Sequence, residues 1–246
     1  MPIRPLFLAL LFILTVFISC KKSDNQLQPE ENKIPKIKTE SWFSIGNSWG
    51  DVVISYEYDQ DGRIAKITDG DDLSTYKYEP QKVIINKYNS KSQSTYVDTL
   101  LLNNKGLVIA ERNFFFKDFI YKYNTEGYRI TAPNYGAETW TIDTLTIKNG
   151  NTVEITPKYW NEYVMATTTY KFQASLNTIG DQNKGITWNG KQNVNLTSEE
   201  DRKTVNVWRT YEQHYSYTYE FDTKIRITKK IITYGSAVTN VEYSYY

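Results

Sequence analysis

The chain of 246 residues has one cysteine, Cys20, and one histidine, His214. A lone cysteine makes no internal disulfide and supplies no thiolate cluster for a metal. One histidine and no further cysteine cannot complete a zinc tetrad. A Ser-His-Asp or Cys-His arrangement needs imidazole beside a nucleophile, and only one position could provide it. His214 falls inside the longest strand-like run, where a histidine on a sheet face is the expected reading. Charge of one sign is also lacking: 29 Lys and Arg stand against 28 Asp and Glu. A nucleic-acid binder carries a basic excess or stripe, so that class is set aside. No run of helical periodicity reaches the length of an average helix. No cofactor motif is present.

Long apolar runs are confined to the N-terminus. Arg4 precedes an almost wholly apolar stretch from Leu6 to Phe17, which ends in Ser19-Cys20 and a polar segment. Such a run is too short to span a membrane and reads as an export signal over residues 1–19. Phe17-Ile18-Ser19-Cys20 resembles a bacterial lipobox. The resemblance implies cleavage before Cys20 and lipidation of its sulfur, with the membrane as a partner through that anchor; a non-lipidated signal peptide or an anchor helix is the alternative. Several acyl chains on one residue anchor stably where a single chain is marginal. Lys21 follows the cysteine, which by resemblance to the sorting of Gram-negative lipoproteins favours the outer membrane, on its periplasmic or its outer side. Residues 20–40 are polar, contain Pro29 and Pro35, and read as a flexible tether. Losing residues 1–19 removes only Arg4 among the charges and leaves 28 basic against 28 acidic residues.

What is abundant is tyrosine, 21 residues, together with Thr, Val and Ile, the residues that favour strands. Tyr56-Glu57-Tyr58-Asp59-Gln60-Asp61-Gly62-Arg63-Ile64 reads as a strand, a tight turn and a second strand. Asp at the first turn position bonds the backbone ahead, and Gly three residues later takes φ > 0. Tyr121–Tyr128 repeats it closely. Leu100–Leu107 keeps the turn with leucines for tyrosines. Tyr76–Val83, Leu145–Asn151, Tyr170–Phe172, Tyr217–Asp222 and Val241–Tyr245 keep parts of it. From Tyr58 the steps to Tyr78, Leu102, Tyr123, Ile147 and Phe172 are 20, 24, 21, 24 and 25 residues. A period of this size marks an array of one supersecondary unit, here a hairpin. The residue between paired aromatics is polar each time, which packs the tyrosines inward. A single all-β domain over residues 41–246 follows: an antiparallel up-and-down meander of repeated hairpins, forming a strongly twisted or partly closed sheet. Residues 173–204 break the rhythm and read as loop, with a short helical turn at 197–203.

The Tyr-x-Tyr-Asp-x-x-Gly-Arg-Ile pattern resembles the tyrosine–aspartate repeats of Rhs-type proteins. The whole arrangement is closer to a family of Bacteroidetes outer-membrane lipoproteins whose domain has no assigned function. The likeness rests on the lipobox start and on the hairpins Tyr56–Ile67, Tyr121–Ile130, Ile147–Ile155 and Tyr217–Tyr246. It implies an architecture and transfers no catalytic residues. The chain departs from the pattern near Lys82 and Lys224, where a turn glycine is absent.

The candidate sites are few. Asp59, Asp61, Asp69, Asp71 and Asp72 form the densest acidic group, and Asp-x-Asp-Gly resembles the start of a calcium loop. The loop lacks its later ligands, and the two acidic groups meet only if their turns share one sheet end; turn chemistry is the competing explanation. Trp160 and Trp188 lie outside the repeat and are the candidates for exposed glycan-stacking faces; core packing is the competing role of the aromatics. Asp98-Thr99-Leu100 and Asp143-Thr144-Leu145 look like the Asp-Thr-apolar acceptor of Bacteroidetes O-glycosylation, which would put glycans on Thr99 and Thr144. The sequence thus favours a non-enzymatic envelope lipoprotein that binds or scaffolds a protein partner. A surface glycan-binding protein is the alternative, and a glycoside hydrolase, which needs two spaced carboxylates, a further one. A site is expected where the repeat fails, around 157–163 and 173–204.

Overall fold

Alternation of side chains every second residue builds the whole domain. The computed structural model describes residues 34–45, 51–113, 116–134, 141–158, 164–206 and 209–246. The strands of the first half are β1 (Ile37–Ile45), β2 (Val52–Tyr58), β3 (Ile64–Asp69), β4 (Asp72–Glu79), β5 (Lys82–Asn89), β6 (Ser94–Leu102), β7 (Val108–Asn113) and β8 (Phe116–Ile120). Those of the second half are β9 (Thr131–Asn134), β10 (Thr141–Lys148), β11 (Asn151–Lys158), β12 (Val164–Leu176), β13 (Asn195–Asn206), β14 (Thr210–Phe221), β15 (Ile227–Tyr234) and β16 (Ala237–Tyr245). They form one 16-stranded antiparallel sheet, as the hairpin array predicts. No helix among the described residues is long and apolar enough to cross a membrane.

β1 pairs with β16, so the first and last strands meet and the edges of the sheet are β8 and β9. No strand ladder joins those two edges among the described residues. The Tyr121–Ile130 segment lies across the seam. Tyr121 N–H donates to Ile109 O, Ile130 N–H to Lys122 O, and Leu145 N–H to Ile130 O, each at 2.9–3.0 Å. The sheet is therefore curled, with a seam held by a few backbone bonds.

In an up-and-down sheet every second turn lies at the same end. The signature turns all do. In the turns opened by Asp59, Asn103, Asn124 and Asp222, the first residue donates its amide to the carbonyl four residues on, and its carbonyl accepts the amide three residues on, at 2.9–3.1 Å. The opening side chain accepts the amide four residues on in each turn, at 2.9–3.0 Å. Gly62, Gly106 and Gly127 have φ of 71°, 75° and 90° at the last turn position. Near Lys82 and Lys224, the left-handed residue is a neighbour: Gln81 at φ 58°, after Pro80, and Ile225 at φ 61°.

The signature also ties hairpin to hairpin. Tyr58 Oη donates to Ile37 O (2.5 Å), Tyr78 Oη to Ile64 O (2.7 Å) and Tyr245 Oη to Ile227 O (2.8 Å). In each case a tyrosine ending one strand holds the start of the strand before it. Arg63, bound to Asp59 at 2.7 Å, lies 4.2 Å over the Tyr78 ring, and Arg226, bound to Asp222, lies 4.8 Å over Tyr245. Of the seven fully buried large side chains among the described residues, Ile37, Ile64, Val83, Val108, Leu196 and Ile227 are the first or second residues of odd-numbered strands, and Val241, midway along β16, is the exception. The core is therefore concentrated at the end where the signature turns gather.

Two expectations about elements change. The tether extends less far than residue 40, because β1 starts at Ile37. Residues 197–203 are not a helical turn but the middle of β13. Both segments carry charges on the inward face, Glu40 in one and Glu200 with Arg202 in the other, so neither displays an apolar alternation.

Candidate functional site

Residues 177–194 join β12 to β13, the stretch where the repeat fails. Their backbone forms a cap running around the signature end of the sheet. Asn183 O accepts the Ile37 amide (3.0 Å), Gly185 O that of Ile64 (3.1 Å) and Trp188 O that of Val108 (2.9 Å). Lys191 N–H then donates to Gly127 O (2.9 Å) and Val194 N–H to Gly150 O (3.1 Å). The cap thus supplies partners to the first amides of β1, β3 and β7. Two glycines permit the approach. A Cβ on Gly185 would lie 2.6 Å from the Ile64 nitrogen, and one on Gly190 2.6 Å from Gly127 O.

Trp188 is the plug of this cap. It is 5% exposed and lies 5.9 Å from both the Tyr76 and Tyr78 ring centres. The expectation of an exposed glycan-stacking Trp188 is thereby corrected: its face is covered by those tyrosines. The cap and its neighbours leave a crevice of about 430 Å3, lined by Tyr128, Leu176, Asn183 and Val194 among others.

Deeper in, the inward faces carry charge. Glu40 is 3% exposed and pairs with Lys184 of the cap at 2.7 Å. Lys184 Nζ also lies 5.5 Å from the Tyr56 ring. Burial, and then Glu40, pushes the Tyr56 hydroxyl well above its ordinary pKa. Asp98 is 2% exposed and pairs with Lys87 at 2.5 Å. Glu200 is 6% exposed and accepts from Arg202 and, at 2.5 Å, from Tyr217 Oη. Arg202 lies 4.7 Å over Tyr215, and Lys230 4.7 Å over Tyr217. Burial lowers the Lys230 pKa against the pull of Glu200 and Glu40. Each buried carboxylate thus has its own cation, the arrangement that makes internal charge tolerable. Trp42, on the same face as Glu40, has an indole N–H that is buried and without a partner among the described residues.

The acidic group does not assemble. Asp59 and Asp61 sit in the β2–β3 turn, Asp69, Asp71 and Asp72 in or beside the β3–β4 turn, and these are opposite ends of the sheet. Asp59 is engaged by Arg63 and the amides of its own turn. Asp72 accepts the Ser90 amide and hydroxyl, both at 2.8 Å. Turn chemistry accounts for both. Thr99 lies within β6 between buried Asp98 and Leu100, and Thr144 is exposed on β10. Cys20 and Trp160 lie outside the described residues.

His214 stands on the outward face, with Nδ1 2.7 Å from Asp201 Oδ1. Glu199, Asp201 and His214 offer three ligand atoms within 4.8 Å of one another, open to water and with Lys171 already on Glu199. Sequence reasoning missed this group because it missed β13: Thr197 to Lys203 is polar throughout, so no alternation marks it as a strand.

No family model matches the chain, and no curated protein matches its sequence. The fold is similar to that of a porin-like protein from Bacteroides uniformis ATCC 8492 seen in a crystal structure. The TM-score is 0.63 at 14% identity, over 85% of this chain and 98% of that one. At that identity the likeness is one of fold.

Proposed function

We propose that the chain is a non-enzymatic lipoprotein of the outer membrane, exported by residues 1–19, acylated on Cys20 and acting as a binding or scaffold module. The domain stands in water beside the bilayer rather than through it. One observation carries this reading: the outward face carries ion pairs. Lys66–Glu57 (2.8 Å), Lys77–Glu79 (2.8 Å), Lys203–Glu212 (3.1 Å) and His214–Asp201 (2.7 Å) occupy outward positions of strands spread around the sheet. A membrane-spanning barrel shows hydrocarbon an apolar band there, and charge at its midplane costs about 2–4 kcal/mol per Lys or Arg. The porin-like fold is thus read as shared shape with a different solvent outside.

The buried carboxylates favour a non-enzymatic role. Glu40, Asp98 and Glu200 each hold a cation, while glycoside hydrolysis needs a pair free to give and accept protons. Native lipidated protein, cross-linked in membranes and purified, is expected to retain a stoichiometric protein partner; recovery of nothing above background rejects the reading. A glycan ligand is the second reading. Tyr211 and Tyr234 favour it, since both are exposed at the end opposite the cap, and Tyr234 stacks on Tyr215 at 4.8 Å. A broad glycan array without hits rejects it.

A further inference from the structure

The described chain begins at Ile34, three residues before β1, and β1 starts at the capped end. Any anchor at Cys20 therefore pulls on that end. Residues 21–33 separate the two points, and 14 steps of chain span at most about 50 Å. Turning the other end to the bilayer would require the tether to run back along strands of 8 to 13 residues, roughly 27–43 Å of sheet.

The capped end is also where large hydrophobic residues are most exposed. Among the described residues, the four most exposed large hydrophobics are Ile225 (75%), Leu176 (66%), Tyr246 (66%) and Ile120 (65%). Ile225 sits in the β14–β15 turn, Leu176 ends β12, Tyr246 follows β16 and Ile120 ends β8. All four are capped-end positions. The next, Val53, is 51% exposed. Ile225 is informative for a second reason. It holds φ 61° where its three sister turns have glycine. A β-branched residue in that conformation is strained, and such strain is retained where the side chain has a use.

We propose that the capped end is a membrane-resting surface: Ile225, Leu176 and Ile120 contact the bilayer interface beside the acyl anchor, while Tyr246 turns back onto the sheet, its Oη donating to Tyr56 O at 2.9 Å. This rests on the reading that Cys20 is lipidated. Shallow apolar contact then adds to the anchor, as two weak membrane signals do together. The tether and the rim orient the sheet, so that the opposite end, with Tyr211 and Tyr234, points away from the lipid.

The test exploits the single cysteine, whose thiol is consumed by lipidation. Ile225→Cys, Leu176→Cys and Ser236→Cys each carry one environment-sensitive fluorophore on the full-length lipidated chain. Ser236 is exposed in the β15–β16 turn at the opposite end. The proteins are reconstituted in phosphatidylethanolamine–phosphatidylglycerol vesicles containing nitroxide-labelled lipid. Intact mass reports acylation, and flotation reports anchoring. The expected result is blue-shifted emission and strong quenching at 225 and 176, with neither at 236. Full acylation and flotation with equal quenching at both ends, or with quenching at 236 alone, overturns the membrane-resting surface and leaves the anchor reading intact. A chain of unmodified mass that does not float overturns the anchor reading, and this placement with it.

Discussion

The Gly185 carbonyl accepts the Ile64 amide at 3.1 Å, and a Cβ on Gly185 would stand 2.6 Å from that same nitrogen. Contact and glycine are therefore one requirement: the cap reaches the first amide of β3 only where no side chain intervenes. Gly185→Ala adds a left-handed alanine, at φ 69°, to a backbone collision. The expected loss is about 2–4 kcal/mol in urea unfolding. Gly235→Ala, whose Cβ would meet nothing within 4 Å, is expected to lose only about 1 kcal/mol. Equal losses at both sites would contradict the cap as described.

Lys184 fastens the cap to Glu40 inside the sheet. Lys184→Met leaves a carboxylate that is 3% exposed without its cation, and is expected to cost about 2–4 kcal/mol. Adding Glu40→Gln is expected to recover part of that loss. A double-mutant cycle in chemical denaturation reads the coupling; additive losses would show that the pair is not a unit.

The strained turn gives a change of opposite sign. Ile225→Gly relieves a φ of 61° and is expected to raise stability by about 1 kcal/mol. Asp222→Ala removes the acceptor of the Lys224 and Arg226 amides and is expected to lower it by about 1 kcal/mol. Thermal melts of the two variants should move in opposite directions.

Acid and alkali act on different groups. Burial would raise the Asp59 pKa, but the Arg63 side chain and amide hold it below the usual carboxylate range. The Arg226 amide, with burial opposing, does the same for Asp222. Hydrogen bonds from Lys77 and Lys82 bring Glu79 down to about 2. Groups depressed in the folded state contribute fully above their unfolded pKa, so stability should fall as pH drops below about 4. The tyrosines work from the other side. Burial, then Asp98, pushes Tyr76 up to about 12, and burial takes Tyr123 to about 12 against Arg129. Their protonated forms are favoured by folding, so their stabilisation is complete below about pH 10 and lost as pH climbs toward 12. Tyrosinate absorbance should rise in two phases, the later one coinciding with loss of the β-sheet circular dichroism. A single phase near pH 10 with the sheet intact would contradict the buried packing of these rings.

Strands were legible where one face is apolar and the other polar, as in Ile54–Tyr58. They were illegible where the inward face carries an ion pair. In β13 the inward Glu200 is buried, and its partners lie in its own strand (Arg202) and in β14 (Tyr217), so no local window reveals that burial. Turn chemistry was readable from Asp59 and Gly62 alone because its bonds are made within five residues. The cap was not: Gly185 and Gly190 look like loop glycines until the segments they touch, Ile64 and Gly127, are brought beside them. Trp188 was misjudged for the same reason, since the rings that cover it come from β4.

The account rests on a sheet that stands in water and is held to the membrane by Cys20. Cys20→Ser separates these from a spanning barrel in one fractionation. The account predicts that the exported, non-acylated chain leaves the membrane pellet, stays soluble without detergent and unfolds cooperatively in urea. A variant that still sediments with membranes, and is monomeric only in detergent, would contradict it.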